Sequence, residues 1–153
     1  MLPFWGYDEA VAAWVAEHIP GCARGFENCR ALGVLDGEQL AAGVVFHNWE
    51  PEHGVIELSG ASTTQRWLTK PVLWQMFAYP FLGIGCQLVV MRVSERNEQW
   101  NGRGLPRLLK AYGFEVTPIA RLYGRHENGR LFSLTDDAWR ANGFHKKELA
   151  NHG

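Results

Sequence analysis

The sequence predicts an α+β fold with a mixed sheet, and three observations lead to that class. A helical pattern near the start is followed by three strand-like segments joined by short turns, which predicts an antiparallel meander. A long helical pattern then leads into a continuous apolar run, typical of a buried strand. A short helix and two strands around Glu127-Asn128-Gly129 complete the order. This succession of elements is typical of α+β proteins.

The first helix is predicted to begin at Asp8 as its N-cap, because apolar residues recur after it at helical spacing as far as Ile19. Pro20-Gly21 ends that helix, and Asp36-Gly37 marks the first tight turn. The three strands of the meander are predicted over residues 29–35, 40–49 and 55–59.

The second helix is predicted over residues 63–82, with Thr63 or Thr64 as its cap and Pro80 distorting its last turn. The unit from residue 55 to residue 93 should form a right-handed parallel crossover. The remaining elements are predicted in chain order: strand 86–93, helix 105–112 with Gly113 as its stop, hairpin strands 118–125 and 130–135, and a helical turn over 136–140. The polar tail after Phe144 should be frayed.

Composition limits the class of protein. The chain has 153 residues, of which 46% are apolar, so a single domain over residues 1–153 is expected, with its core at about 8–140. Fifteen basic residues against 16 acidic ones argue against general nucleic-acid binding. Cys22, Cys29 and Cys86 form no CxxC, so we expect reduced thiols, a cytoplasmic protein and no metal site. The apolar stretch 71–91 is too interrupted to span a membrane.

The segment between the third strand and the second helix, residues 59–70, is the best candidate for binding chemistry. It contains five hydroxyl side chains, with Arg66 and Lys70 at a predicted helix start. Backbone N–H groups and the helix dipole favour an anion there. The alternative is that Arg66 and Lys70 form a solvated helix face and that a threonine only caps the helix. Motifs for a serine hydrolase, a P-loop, a zinc protease and a dinucleotide fold are absent.

Several segments resemble one family in order and spacing. In place of its pyrophosphate pattern Q/R-x-x-G-x-G/A the sequence has Arg66-Trp67-Leu68-Thr69-Lys70-Pro71. Four later segments also match: Tyr79-Pro80-Phe81, Val93-Ser94-Glu95-Arg96-Asn97, residues 107–114 with a leucine-rich run before Gly113-Phe114, and residues 134–139. The chain therefore resembles the GNAT N-acetyltransferase superfamily over residues 8–140, most closely its small branch from tailed phages and prophage-like clusters.

The resemblance implies a GNAT-like fold and an activity. The fold would have a mixed, mostly antiparallel central sheet flanked by helices, with the parallel crossover at the cofactor site. The activity would be transfer of acetyl from acetyl-CoA to an amine acceptor, a small molecule or a protein, with a homodimer as a further expectation. The residues implied in cofactor binding are Leu58, Ser59 and Gly60 for the pantetheine arm, Arg66, Trp67, Leu68, Thr69 and Lys70 for the phosphates, and Asn97.

Catalysis in this family needs a base for the amine and favours an acid for the thiolate. Glu57 is the base candidate, because an unpaired carboxylate within a strand is costly to bury. The alternative for Glu57 is an ion pair with Arg92 or Arg30. His47 and Asn48 end the preceding strand and flank the same cleft, with a surface or hydrogen-bonding role as the alternative.

Three departures from the family leave a second function open. Leu109 occupies the position of the tyrosine that acts as general acid in many members of the family. The phosphate-binding segment 66–71 lacks glycine, and residues 99–103 are inserted. Tyr123 or Tyr112 would take the place of this general acid. The alternative for each tyrosine is that it packs in the core. These departures favour a non-catalytic GNAT-like binding module of a phage or prophage system as the alternative function. Trp49, Trp67 and Trp100 are expected around the cofactor cleft, so that acetyl-CoA would quench their fluorescence.

Overall fold

A computed structural model describes residues 1–22, 24–97 and 104–152. The chain divides into two compact units, Met1–Cys86 and Gln87–Gly153. The first unit contains β1 (Leu2–Phe4), α1 (Asp8–His18), β2 (Arg30–Asp36), β3 (Gln39–Glu50), β4 (Val55–Ser62), α2 (Lys70–Ala78) and a π-helical turn (Tyr79–Gly83). The second contains β5 (Leu88–Ser94), α3 (Leu105–Tyr112), β6 (Glu115–Ile119), β7 (Gly129–Thr135), α4 (Asp136–Ala141) and α5 (Lys146–His152). Trp100 and the inserted residues 99–103 lie outside the described residues.

The sheet of the first unit is an antiparallel meander, as predicted, with strands in the order β1-β2-β3-β4. Helix α1 packs on it through Val11 and Val15, which are buried with Ala31 and Val45. A Cβ added to Gly43 on β3 would lie 2.6 Å from Val15 Cγ2. Glycine at this position therefore lets the helix approach the sheet closely.

The predicted capping role of Asp8 is wrong. Tyr7 occupies the N-cap position of α1 without a side-chain cap bond, and Asp8 is the first helical residue. The Asp8 carboxylate instead accepts a hydrogen bond from the Ala31 backbone N–H (2.9 Å) and lies 3.7 Å from Arg30 Nε. The carboxylate thus joins the helix to β2, a long-range contact that local sequence does not encode, while its charge still suits a helix N-terminus.

The second helix begins later than predicted. It starts at Lys70 rather than residue 63, so neither Thr63 nor Thr64 caps it. Thr69 is the N-cap, and its hydroxyl accepts a hydrogen bond from Val72 N–H at 3.5 Å. Pro71 is tolerated in the first turn because its missing N–H would have no partner there within the helix. The predicted distortion at Pro80 is confirmed, since this residue lies in the π-helical turn that follows Ala78.

The strands of the second unit are all antiparallel, with β7 paired to both β5 and β6. Gly113 ends α3 as predicted and has a φ of +121°. The predicted range of the first hairpin strand, 118–125, is wrong, because β6 is Glu115–Ile119. The hairpin connection turns at Arg121, whose φ is +64° and whose N–H bonds the Asn128 side chain.

The termini are more ordered than the sequence predicts. The tail after Phe144 is not frayed, because Lys146–His152 forms α5 and His145 is fully buried. Residues 2–4, placed outside the predicted core, form β1, where Phe4 lies over Gly33 of β2. The folded region is therefore wider than residues 8–140.

The predicted fold class is confirmed: the chain is α+β with seven described strands that pair mostly antiparallel. The predicted succession of strand, helix and strand is present as β4, α2 and β5. Within the described ranges, no helix has the length and apolar character needed to cross a membrane. The same ranges contain no group of three or more His, Cys, Asp or Glu residues that could hold a metal ion.

Candidate active site

Four polar residues converge on β3 and β4, and we call them the β3–β4 cluster: His47, Asn48, Glu57 and Ser59. His47 and Glu57 are directly opposed in the register of the two strands. His47 Nε2 lies 2.8 Å from Ser59 Oγ and 4.0 Å from Glu57 Oε2. Asn48 Nδ2 donates a hydrogen bond to Glu57 Oε1 at 3.1 Å. The side chains of His47 and Glu57 are each 12% exposed, so the carboxylate is well shielded but reachable.

The convergence of His47 and Asn48 depends on an irregularity in β3. In a regular strand, successive side chains point to opposite faces of the sheet. Here the β3–β4 register shifts between His47 and Glu50, and Asn48 has a φ of +51°. This bulge allows two consecutive side chains to reach one carboxylate.

An aromatic side chain from the segment after α1 borders the cluster. The ring of Phe26 lies 4.9 Å from the ring of His47, centroid to centroid, with an interplanar angle of 56°. Phe26 also packs against the core beneath α1. The segment that carries Phe26 is therefore fixed next to the candidate base.

Arg30, one of the two arginines considered as an ion-pair partner of Glu57, interacts with other residues. Arg30 lies beside the Asp8 carboxylate, and its guanidinium carbon lies 5.6 Å from the centroid of the Tyr79 ring. Arg92, the other arginine considered, belongs to β5 in the second unit. Within the first unit, Glu57 contacts an amide and an imidazole.

The strand that carries Glu57 continues through the three residues predicted to hold the pantetheine arm. Leu58, Ser59 and Gly60 are opposed to Phe46, Val45 and Val44 on β3. Leu58 is a core side chain, whereas Ser59 and Gly60 are partly exposed. The Ser59 hydroxyl belongs to the β3–β4 cluster, although only a backbone role was expected of this residue from the sequence.

The predicted phosphate turn lies between β4 and α2. Arg66 and Lys70 are exposed, whereas Trp67 is 3% exposed and therefore a buried residue. Leu68 and Thr69 are partly exposed. The expectation that Arg66 and Lys70 share a helix face is wrong, because Arg66 precedes α2.

The backbone of this turn supplies fewer N–H groups than a glycine-rich loop. The Arg66 N–H donates to Thr64 Oγ1 at 3.3 Å, and the Thr69 N–H donates to the Trp67 carbonyl at 2.9 Å. In the first turn of α2, Pro71 has no N–H, and the Val72 N–H is directed to Thr69. Positive charge at this turn therefore comes chiefly from the Arg66 and Lys70 side chains.

The remaining predicted residues belong to the second unit. Tyr123 is 40% exposed in the β6–β7 connection, and the Asn97 N–H donates to the Ser94 carbonyl at 3.0 Å. Leu109, at the position of the family's tyrosine, is buried.

Tyr112 is a core residue, which was the alternative to its being the general acid. Its hydroxyl accepts a hydrogen bond from Trp139 Nε1 (2.8 Å) and lies 2.6 Å from His145 Nε2. Burial raises the pKa of Tyr112 well above its ordinary value. A fully buried, bonded hydroxyl of this kind is unsuited to protonating a leaving group.

Sequence reasoning missed two contributors to the cluster. The Ser59 hydroxyl had a signal, because residues 57 and 59 share one face of a strand. Phe26 had none, since its contact with His47 joins positions 21 residues apart through a segment without regular structure.

No protein-family model and no curated protein matches the chain. Among solved structures it is similar to a putative acetyltransferase, with 17% identity, 92% of this chain and 89% of that chain covered, and a TM-score of 0.66. A putative acetyltransferase from T. thermophilus is similar with 19% identity, coverage of 94% and 70%, and a TM-score of 0.62.

A GCN5-related N-acetyltransferase from Brucella melitensis is also similar, with 18% identity, 85% of this chain covered and a TM-score of 0.58. The chain spans 59% of the length of the Brucella protein and 64% of that of a probable acetyltransferase. These similarities show that the chain has the fold of GNAT acetyltransferases. The narrower resemblance to the phage branch stays a prediction.

Proposed function

We propose that this protein transfers an acetyl group from acetyl-CoA to an amine acceptor at the β3–β4 cluster. The observation that carries the proposal is the Glu57 carboxylate, which is largely shielded from water, hydrogen-bonded by Asn48 and close to His47. The similarity in fold to an N-acetyltransferase supports the same reaction class. The acceptor is proposed only as an amine, on a small molecule or a protein.

Glu57 is proposed as the general base. An amine is mostly protonated near neutral pH and attacks only through its neutral nitrogen, so a proton has to leave it. In the transfer, a C–N bond forms at the thioester carbonyl and the C–S bond breaks. The proton from nitrogen passes to the Glu57 carboxylate, directly or through one water, and coenzyme A leaves as a thiolate that takes up a proton.

The residues at the phosphate turn fit acetyl-CoA by charge. Arg66 and Lys70 are exposed cations on either side of the N-terminus of a nine-residue helix, where an anion is favoured. Leu58, Ser59 and Gly60 are proposed to hold the pantetheine arm, because they lie on the strand that runs from Glu57 towards this turn. When bound, the cofactor would supply the activated thioester.

Two residues of the second unit keep the roles that the resemblance implies for them. Tyr123, whose side chain is exposed, stays the candidate for protonating the leaving thiolate, whereas Tyr112 is a buried core residue. Asn97 is proposed as a further contact for the cofactor arm. Neither role is required for Glu57 to act as base.

The proposal is tested by measuring free coenzyme A thiol after incubation with acetyl-CoA and a panel of amines, with mass spectrometry of the acceptors. We expect thiol release that requires at least one amine and yields its acetylated product. Binding of acetyl-CoA by calorimetry without thiol release for any amine, polyamine or protein amine in the panel would contradict acetyl transfer.

A further inference from the structure

Asn48 is the member of the β3–β4 cluster with an unusual backbone conformation. It is one of three non-glycine residues with positive φ among the described residues, and it lies where the β3–β4 register shifts. Its side-chain amide donates to Glu57 Oε1, while the preceding residue, His47, faces Glu57 Oε2 from 4.0 Å. The two oxygens of one carboxylate are thus approached by adjacent residues of one strand.

The chemistry of asparagine explains why it occupies this position. The left-handed backbone conformation is unfavourable for most L-residues but is tolerated by asparagine and glycine. Glycine would satisfy the backbone but would provide no hydrogen-bond donor. An amide donor stabilises the ionised form of a carboxylate, and a bond to a charged group is stronger than one between neutral groups.

We propose that Asn48 is a positioning residue that fixes the Glu57 carboxylate through Oε1 and so presents Oε2, on the His47 side, as the atom that accepts the amine proton. This inference rests on the proposed role of Glu57 as base. It assigns Asn48 an indirect role, whereas the sequence placed this residue among those flanking the reaction itself. The left-handed backbone at the bulge orients the Asn48 side-chain amide towards Glu57.

The hydrogen bond is tested without reference to activity. In a ¹H–¹⁵N spectrum, the side-chain amide signals of Asn48 should differ between wild type and Glu57→Gln, because the substitution replaces a charged hydrogen-bond acceptor with a neutral one. The side chain of Asn28, another left-handed asparagine, serves as the internal control. Asn48 signals that behave alike in the two proteins would overturn the proposed contact.

The positioning role is tested by steady-state kinetics of Asn48→Gly. Glycine tolerates the left-handed backbone conformation and removes the side chain that carries the amide. We expect kcat to fall by about tenfold, with the KM for acetyl-CoA unchanged, because loss of one bond to a charged group corresponds to a change of that order. Asn28→Gly makes the same substitution at a left-handed asparagine outside the cluster and should keep the wild-type kcat.

A second variant changes the charge beside Glu57. Asn48→Asp preserves side-chain size and the tolerance for positive φ but replaces the donor with a second carboxylate. We expect it to lower kcat more than Asn48→Gly does, since a second carboxylate repels the Glu57 carboxylate instead of donating a hydrogen bond to it. Wild-type kcat in both variants would overturn the positioning role while leaving the proposed function intact. Absence of acetyl transfer by the wild-type protein would instead overturn the proposed function.

Discussion

At the scale of single residues, the candidate chemistry depends on how one carboxylate is surrounded. Glu57 combines low exposure with an amide donor and a nearby imidazole, whereas Arg30, one of the two ion-pair partners that the sequence left open, lies beside Asp8. In surroundings of this kind, with little water, a hydrogen bond to a carboxylate is stronger than it is in solution. The sequence predicted Glu57, His47 and Asn48 as neighbours because strand ends and register follow from turn positions. It did not predict the bulge that turns Asn48 towards Glu57.

Arg66 gives a prediction at the residue scale. Arg66→Ala should weaken acetyl-CoA binding several-fold, about 1 kcal/mol, because an exposed cation beside a phosphate contributes modestly and is screened by salt. The measurement is calorimetry at low and high salt, and the difference between the two proteins should shrink as salt rises. The control is Arg125→Ala, which removes an exposed arginine of the β6–β7 connection. Equal affinity of Arg66→Ala and wild type would remove this residue from the cofactor site.

At the scale of elements, the sequence predicted the presence of helices and strands better than the residues at which they begin. Helix α3 matches its predicted range because Gly113 stops it, whereas α2 starts seven residues later than predicted. Three threonines precede α2, each a suitable cap, so local chemistry could not select Thr69. Segments without strong patterns were missed: β1 has three residues, and α5 is polar along its length.

The capping role of Thr69 gives a prediction at this scale. Thr69→Ala should lower the free energy of unfolding by about 0.5 kcal/mol, the low end for a lost cap, because its 3.5 Å bond to Val72 N–H is long. Thr135→Ala, which removes the 3.1 Å cap bond of α4, should cost about 1 kcal/mol. Urea unfolding of both variants measures the difference. A larger loss in Thr69→Ala than in Thr135→Ala would contradict this ranking of the two caps.

At the scale of the whole molecule, each of the two compact units has its own stabilising contacts. In the first unit, α1 packs on the meander at Gly43. In the second unit, the buried side chains of Tyr112, Trp139 and His145 join α3, α4 and the start of α5 through hydrogen bonds. Composition predicted that a core of this kind would form. It could not predict that a polar group would anchor the C-terminal segment, because that depends on contacts between distant residues.

Tyr112 gives a prediction about the stability of the molecule at alkaline pH. Burial raises the pKa of Tyr112 above its ordinary value, so the folded state holds this proton more tightly than the unfolded state. The corresponding stability is complete below about pH 10, where an unfolded tyrosine titrates, and is lost as the pH rises from there through the raised pKa.

The measurement is urea unfolding of wild type and Tyr112→Phe from neutral to alkaline pH. Tyr112→Phe should be less stable by about 1–3 kcal/mol near neutrality, because Trp139 and His145 lose a buried partner. Its stability should also fall less steeply above about pH 10. Tyr123→Phe, which alters an exposed ring, should retain the wild-type profile. Parallel alkaline profiles for Tyr112→Phe and wild type would contradict the assignment.

The most direct test of the central claim is the rate of acetyl-CoA thiol release, with a saturating amine, for wild type, Glu57→Gln and Glu52→Gln. Glu52 lies in the exposed turn between β3 and β4, so its substitution changes charge nearby without touching the cluster. We predict that Glu57→Gln lowers kcat by about 10²-fold or more and alters the dependence of kcat on pH, while Glu52→Gln retains the wild-type rate. A Glu57→Gln protein with the wild-type rate and pH profile would show that the β3–β4 cluster is structural.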